Sequence, residues 1–127
     1  MSRYQAGMDR VTGRVISGLD HLYQSLAILF ATPLISRVMR RDVGSALFDL
    51  VDQPGHEAGR LRMVAAVADA VRRWEPRIRI THCNLSPRTT AAAAAEGVWT
   101  WEIRGLLTQD LGVLQAGDRV TLTLPAA

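Results

Sequence analysis

The stretch Trp74–Ile80, "WEPRIRI", decides how the chain is read. It lies where helical periodicity gives way to a run that alternates every second residue. Pro76 has no backbone N–H and fixes its own φ, so Glu75 must leave the helix there. The expected result is a rigid elbow, with a carboxylate on one side of the proline and a guanidinium on the other. Spacing alone leaves two readings open. Either Glu75 and Arg77 pair with neighbouring groups and close the corner, or they present opposite charges to a second protein.

Upstream of the elbow a long helix is expected from about Glu57 to Trp74. Leu61, Val64, Ala65, Ala68 and Val71 form one stripe; Met63, Val67, Ala70 and Trp74 form a second beside it. Together they exceed the roughly 100° stripe of a one-sided helix, which predicts cover from two directions. Arg62, Asp69 and Arg73 keep the solvent face. Earlier still, "SGLDHLYQSLAILFATP" puts Leu19, Leu22, Tyr23, Leu26, Leu29 and Phe30 on one helical face. Ser17 and Asp20 are spaced as a capping box, and Thr32-Pro33 ends the helix. "LISRVMRRDVGS" carries Arg37, Arg40 and Arg41 with little apolar periodicity and reads as an ordered loop. A short helix from about Ser45 to Val51 follows, closed by the turn signal "DQPG". Residues 1–16 are polar with scattered glycine and read as an extended lead-in.

Downstream the period is two. Ile78 and Ile80 alternate with Arg77, Arg79 and Thr81, as in a half-buried strand. In "RTTAAAAAEG" the alanines are too few to hold a helix, so a mobile hairpin loop is expected. "VWTWEIRGL" then sets Trp99, Trp101 and Ile103 against Thr100, Glu102 and Arg104. A connection with Gly112 and Gly117 leads to "RVTLTLP", where Val120, Leu122 and Leu124 share a face. Helices first and strands afterwards predict an α+β fold, with two or three helices packed on one side of a small antiparallel sheet. One domain is expected over 1–127, mainly helical over 17–75 and mainly strands over 76–125.

The composition suits a globular fold: 127 residues, 48% hydrophobic and 21% charged, with a formal charge of +3. Every basic residue among the 15 is arginine. Arginine favours planar, bidentate pairing at partly buried interfaces, but so small a net charge does not by itself imply nucleic acid. No apolar run approaches the eighteen or so residues of a membrane span. "MSRYQAGMDRVTGR" has no apolar signal-peptide core, and the lone Cys83 cannot form an intrachain disulfide. A cytosolic site of synthesis is expected.

Motifs of catalysis are missing. His21, His56 and His82 are far apart and form no ligand pair, so no metal or cofactor is expected. No phosphate loop, nucleophile elbow or Cys–His pairing is visible. Glycoside hydrolysis would need two carboxyl groups flanking a bond. Glu57, Glu75, Glu96 and Glu102 could supply them only if the fold placed two in one cleft. A cell-wall hydrolase is therefore one alternative reading. A nucleic-acid binder is another, with Arg37, Arg40 and Arg41 on phosphates and Trp99 and Trp101 stacking on bases. The tryptophans share a face with Ile103, however, which is the pattern of a core.

Taken from about Gly7 to Leu124, the chain resembles the baseplate assembly protein W family of contractile-tailed phages. That family also covers the T-even baseplate wedge component once named a lysozyme and the sheath-initiating subunit of type VI secretion systems. Two parts carry the resemblance: the loop S-R-x-M-R-R-D-x-G-S at Ser36–Ser45, and the E-P-R corner at Glu75, Pro76 and Arg77. The resemblance implies a non-enzymatic structural protein of a tail baseplate, assembled in the host cytoplasm. It implies a fold like the sheath subunit's connecting domain, whose sheet accepts arms from neighbours. The implied partners are wedge proteins at the corner and Arg37, with Arg40 and Arg41 in the same loop, then sheath subunits by strand addition, and tail tube or hub. No nucleic acid and no membrane are implied. Two positions depart from the pattern: Ile35 stands where relatives carry glycine, and Val43 where they carry an aromatic.

Overall fold

The computed structural model describes residues 6–50, 56–87, 99–111 and 114–126. The "DQPG" turn, the alanine-rich loop, Glu96 and Gly112 lie outside the described residues. From the elbow, β3 (Ile78–Pro87) pairs antiparallel with β4 (Trp99–Leu107), and β4 with β5 (Arg119–Ala126), in the order β3-β4-β5. A second, two-stranded sheet joins β1 (Ala6–Met8) to β2 (Val15–Ser17). Two α-helices, α1 (Gly18–Phe30) and α2 (Glu57–Trp74), complete an α+β architecture.

Both helices feed one core with the inner face of the larger sheet. Leu22, Leu26 and Leu29 of α1 and Val67, Ala70 and Val71 of α2 are buried there. Trp101, Ile103 and Leu107 meet them from β4, and Val120, Leu122 and Leu124 from β5. Phe30 and Trp101 pack as a tilted pair with ring centroids 6.5 Å apart, a geometry that suits the ring quadrupoles. The other face carries exposed Arg79, Asn84, Arg104, Arg119, Thr121 and Thr123. Such one-sidedness is common in antiparallel sheets.

β3 keeps its face only by carrying an extra residue. Ile80 pairs with Gly105 and His82 with Arg104, which leaves Thr81 as a β-bulge. Before the bulge the even-numbered Ile78 and Ile80 face the core; after it the odd-numbered Cys83 and Leu85 do. A one-residue slip moves every later side chain across the sheet, so the bulge keeps Leu85 inside. Gly105 makes it possible: a Cβ there would lie 2.7 Å from the Arg79 carbonyl oxygen.

Two expectations change. Residues 6–17 form a hairpin rather than an extended lead-in. Its turn is organised by Asp9, whose carboxylate accepts from the Val11 N–H and the Thr12 hydroxyl, both at 2.8 Å. The capping box at Ser17 does not form, because Ser17 closes β2 opposite Ala6 and makes no side-chain cap. The short helix expected after Ser45 is present as a 3-10 helix, Ala46–Leu50. α2 is covered by α1, β3 and the 3-10 helix, and of its nine stripe residues Leu61, 63% exposed, and Ala65 are left open.

Residues 31–45 form the ordered loop expected. Its base is pinned where the buried Ser45 donates its N–H to the Thr32 carbonyl at 2.9 Å and Pro33 bridges Ser45. Gly44 has φ +143, and a Cβ on it would lie 2.7 Å from the Thr32 oxygen. Ile35 has φ +67, with its N–H bonded to the Arg41 carbonyl at 2.9 Å. A β-branched residue in the left-handed region is strained, which accounts for glycine in the family pattern. Opposite outcomes are therefore expected from two substitutions. Ile35→Gly should stabilise the fold by up to about 1 kcal/mol, the relief of strain exceeding the added chain entropy. Gly44→Ala should destabilise it by about 1–3 kcal/mol. Urea unfolding midpoints measure both.

Candidate docking surface

α2 continues to the last residue before the elbow. The Glu75 N–H still donates to Val71 at 2.8 Å, and Pro76 then turns the chain with its ring exposed. Thr108, just past β4, ties the turn from below. Its hydroxyl donates to the Pro76 carbonyl in a very short bond, and its N–H donates to the Arg77 carbonyl at 2.9 Å.

The charges flanking Pro76 turn inward. Glu75 is 4% exposed and Arg77 5%. Arg77 grips Glu75 with two prongs, Nε to Oε1 at 2.5 Å and Nη2 to Oε2 at 2.7 Å. The Ser25 hydroxyl donates to the same Oε2 at 2.7 Å, and Arg77 Nη1 meets His21 Nδ1 at 3.0 Å. Arginine has no acceptor, so His21 accepts at Nδ1 and carries its proton on Nε2. The backbone of Gly7 lies against that ring so closely that a Cβ would overlap it. The expectation of opposite charges offered to a partner is thus corrected: the pair closes the corner from inside. Spacing could not have found its partners, which lie 50 and 56 residues away on α1.

Burial alone would push the Glu75 carboxyl up. The Arg77 hydrogen bonds, the Ser25 hydroxyl and the Arg77 charge outweigh it and hold the carboxyl below its ordinary value of 4.5. Charge-assisted, bidentate bonds of this kind are among the strongest available.

Above the pair opens a concavity of about 330 Å³ between α1, the end of α2 and the 31–45 loop. It is lined by His21 and Ser25, by the apolar Ile28 and Val43, and by the exposed Arg37 and Arg40. The Arg40 guanidinium sits over the Trp74 ring, 5.7 Å from its centroid. Arg41 is exposed on the same loop but does not line the concavity. Beside the arginines, Ile35, Val38 and Met39 are 72%, 80% and 92% exposed. The fold therefore brings Arg37 and Arg40 next to the elbow, with Trp74 as the link that the sequence reading did not assign.

The remaining candidates are scattered. His56 caps α2, accepting from the Gly59 N–H at 3.0 Å. His82 is exposed on β3, and burial raises the half-buried Cys83 thiol to about 11. Glu102 pairs with Arg104 on the outer sheet face. Among the described residues no group of three His, Cys, Asp or Glu is placed to hold a metal.

Breaking one partner of the buried pair leaves an uncompensated charge. Arg77→Met should cost about 3–5 kcal/mol in chemical denaturation, and the joint change Glu75→Gln with Arg77→Met distinctly less. The sign with pH follows from the depressed carboxyl. Its contribution is present above the unfolded value and is lost as pH falls through the folded one. The wild type should lose this part of its stability on acidification, while Glu75→Gln should not show that component.

Residues 16–111 match the family described as baseplate wedge protein gp25. Over 127 residues the chain is 33% identical to baseplate protein W of Escherichia phage P2, covering all of both chains. A Geobacter sulfurreducens crystal structure, provisionally described as a tail lysozyme, superposes with a TM-score of 0.70 at 28% identity. That match covers 88% of this chain and 93% of the other. A chain of the post-contraction pyocin R2 baseplate gives 0.60 at 29% identity, with 97% and 100% covered. A chain of the anti-feeding prophage baseplate shares the fold, with a TM-score of 0.57 at 16% identity over 98% of this chain and 82% of that one. The elbow and the arginine loop both fall inside the matched residues, and the chain belongs to the gp25 family of baseplate wedge proteins, structural components of contractile-tail baseplates.

Proposed function

We propose that the chain is a non-catalytic joint of the baseplate: it docks on wedge proteins beside the elbow and starts the first ring of the sheath. Pro76 and the loop bearing Arg37, Arg40 and Arg41 form the docking side, while Glu75 and Arg77 stiffen it from within. The sheet plays the part of a sheath-like connecting domain by accepting a neighbour's strand. Tail tube or hub lies within reach of the same assembly, put together in the host cytoplasm.

The observation that carries this reading is the edge of the sheet at β5, where no strand other than β4 pairs with it among the described residues. Edge strands present unpaired main-chain groups and template further pairing unless they are blunted. β3, the other edge, carries the bulge at Thr81, which disfavours regular pairing. β5 runs against β4 without a shift of register from Arg119 to Ala126. The Leu107 N–H donates to the Asp118 carbonyl, so alternation turns the main-chain groups of Val120, Leu122 and Leu124 toward β4. Those of Thr121 and Thr123 point away from the sheet. A partner strand would add there.

The hydrolase alternative draws on the Geobacter relative, and the geometry speaks against it. Glu75 is buried and fully bonded to Arg77 and Ser25. Among the described residues, the concavity beside the elbow has no carboxylate in its lining, and a second one, at the start of α2, has Glu57 alone. Retaining and inverting glycosidases both need two.

Proline at Thr121 and Thr123 should leave the isolated fold intact, because an edge strand tolerates a missing outward N–H. Tails made with the double variant should contain the chain in baseplates by mass spectrometry yet lack sheath in electron micrographs. Fully sheathed tails would refute strand addition at β5. Purified protein should leave the turbidity of a peptidoglycan suspension unchanged. Clearing that disappears with Glu57→Gln would reinstate an enzyme.

A further inference from the structure

The concavity beside the elbow has an unbalanced charge. The buried pair behind its lining residues His21 and Ser25 adds no net charge, because every Glu75 oxygen is taken by Arg77 or Ser25 and the Arg77 charge is matched by Glu75. Arg37 and Arg40 also line it, and neither forms an ion pair among the described residues. The Arg40 guanidinium carbon lies over the Trp74 ring. A cation held by an aromatic face still has N–H donors to offer a planar acceptor. Asp42 is the one acid among the three arginines of the loop.

We infer that the site takes a carboxylate from the wedge partner, an Asp or Glu side chain entering the concavity between Arg37 and Arg40. This rests on the docking reading above and names the chemistry of the partner. The two arginines are the specificity-determining residues, and Trp74, the last residue of α2 before the buried pair, positions Arg40. A protein carboxylate fits better than a nucleic-acid phosphate because of the rim. Val38 and Met39 stand almost fully exposed beside the arginines, and Ile28 and Val43 line the wall. Exposed apolar side chains around a charged centre match the water-excluding ring of a protein interface. A phosphate backbone would leave them without cover.

The test uses assembled baseplates. Arg37→Gln with Arg40→Gln changes two exposed side chains, so the thermal melt of the purified chain should stay close to wild type. Its recovery in baseplates, by quantitative mass spectrometry, should fall at least 10-fold, since loss of a desolvated carboxylate–arginine contact is worth a factor of that order or more. Arg37→Lys with Arg40→Lys should recover part of the loss. A photoreactive residue at Met39 should crosslink to a partner peptide carrying Asp or Glu, and Lys at that acid should rescue Arg37→Glu with Arg40→Glu. Normal occupancy of the Gln variant would overturn the inference, and so would crosslinks to nucleic acid or to a segment without a carboxylate. Either result leaves the sheath defect of the β5 prolines standing as a separate test of the proposed function.

Discussion

Taking a carboxylate and a guanidinium out of water costs several kcal/mol per ion, and this fold accepts that cost at the elbow. The ion pair Arg77–Glu75 is buried, whereas Arg104–Glu102 is not. The buried pair returns the cost only with Ser25 and His21 in place on α1 and Pro76 holding the two residues on either side of a turn. A hydrophobic corner of the same volume could be as stable. What the charged corner adds is direction, since each hydrogen bond is satisfied in one relative placement of α1, α2 and β3. Ile78 follows at once and enters the core, so the angle of the elbow also fixes where the sheet begins.

Much of this was legible in the sequence, and the failures have physical causes. The bounds of α2, the ordered arginine loop and the alternation of β4 and β5 follow from periodicity, because each element has a polar face to contrast with its apolar one. The hairpin at 6–17 escaped because each strand has only 3 residues, too few to show a period. The Thr81 bulge escaped because a bulge breaks the very alternation used to find strands. At the corner, the residue types were informative and their orientation was not. Alternation from Ile78 predicts an outward Arg77; the carboxylate two residues earlier and the α1 partners reverse it. Ile35 is the opposite case, where a departure from the family pattern pointed to a backbone conformation that its φ of +67 then explained.

An α+β chain of this size has limited means to finish its own surface. α2 leaves Leu61 exposed, the hairpin leaves Val11 and Val15 at 90% and 80%, and the arginine loop leaves Val38 and Met39 bare. Scattered apolar exposure is ordinary on a monomer. Here it is gathered on the hairpin and loop that flank the elbow's concavity and on the first turns of α2, whereas the outer sheet face is polar throughout β5. The two kinds of surface suit two kinds of contact: side-chain packing at the helical end, and main-chain pairing at the sheet edge. On the proposed function, a part that joins a fixed wedge to a polymerising sheath has reason to separate them.

The loop's strain belongs in the same account. Ile35 in the left-handed region and Gly44 at φ +143 are held by the Ser45–Thr32 and Ile35–Arg41 bonds, so the loop is over-determined by its base. Ordering a long side chain at an interface costs about 0.5–1.5 kcal/mol. Arg40 has already lost part of that freedom by stacking on Trp74, and Trp74 is held by the helix that the buried pair terminates. The inward charges thus act on the outward ones through a rigid path: Glu75 and Arg77 fix the end of α2, α2 fixes Trp74, and Trp74 aims Arg40. On the proposed docking, the residues that resemble a docking motif shape the interface by staying out of it.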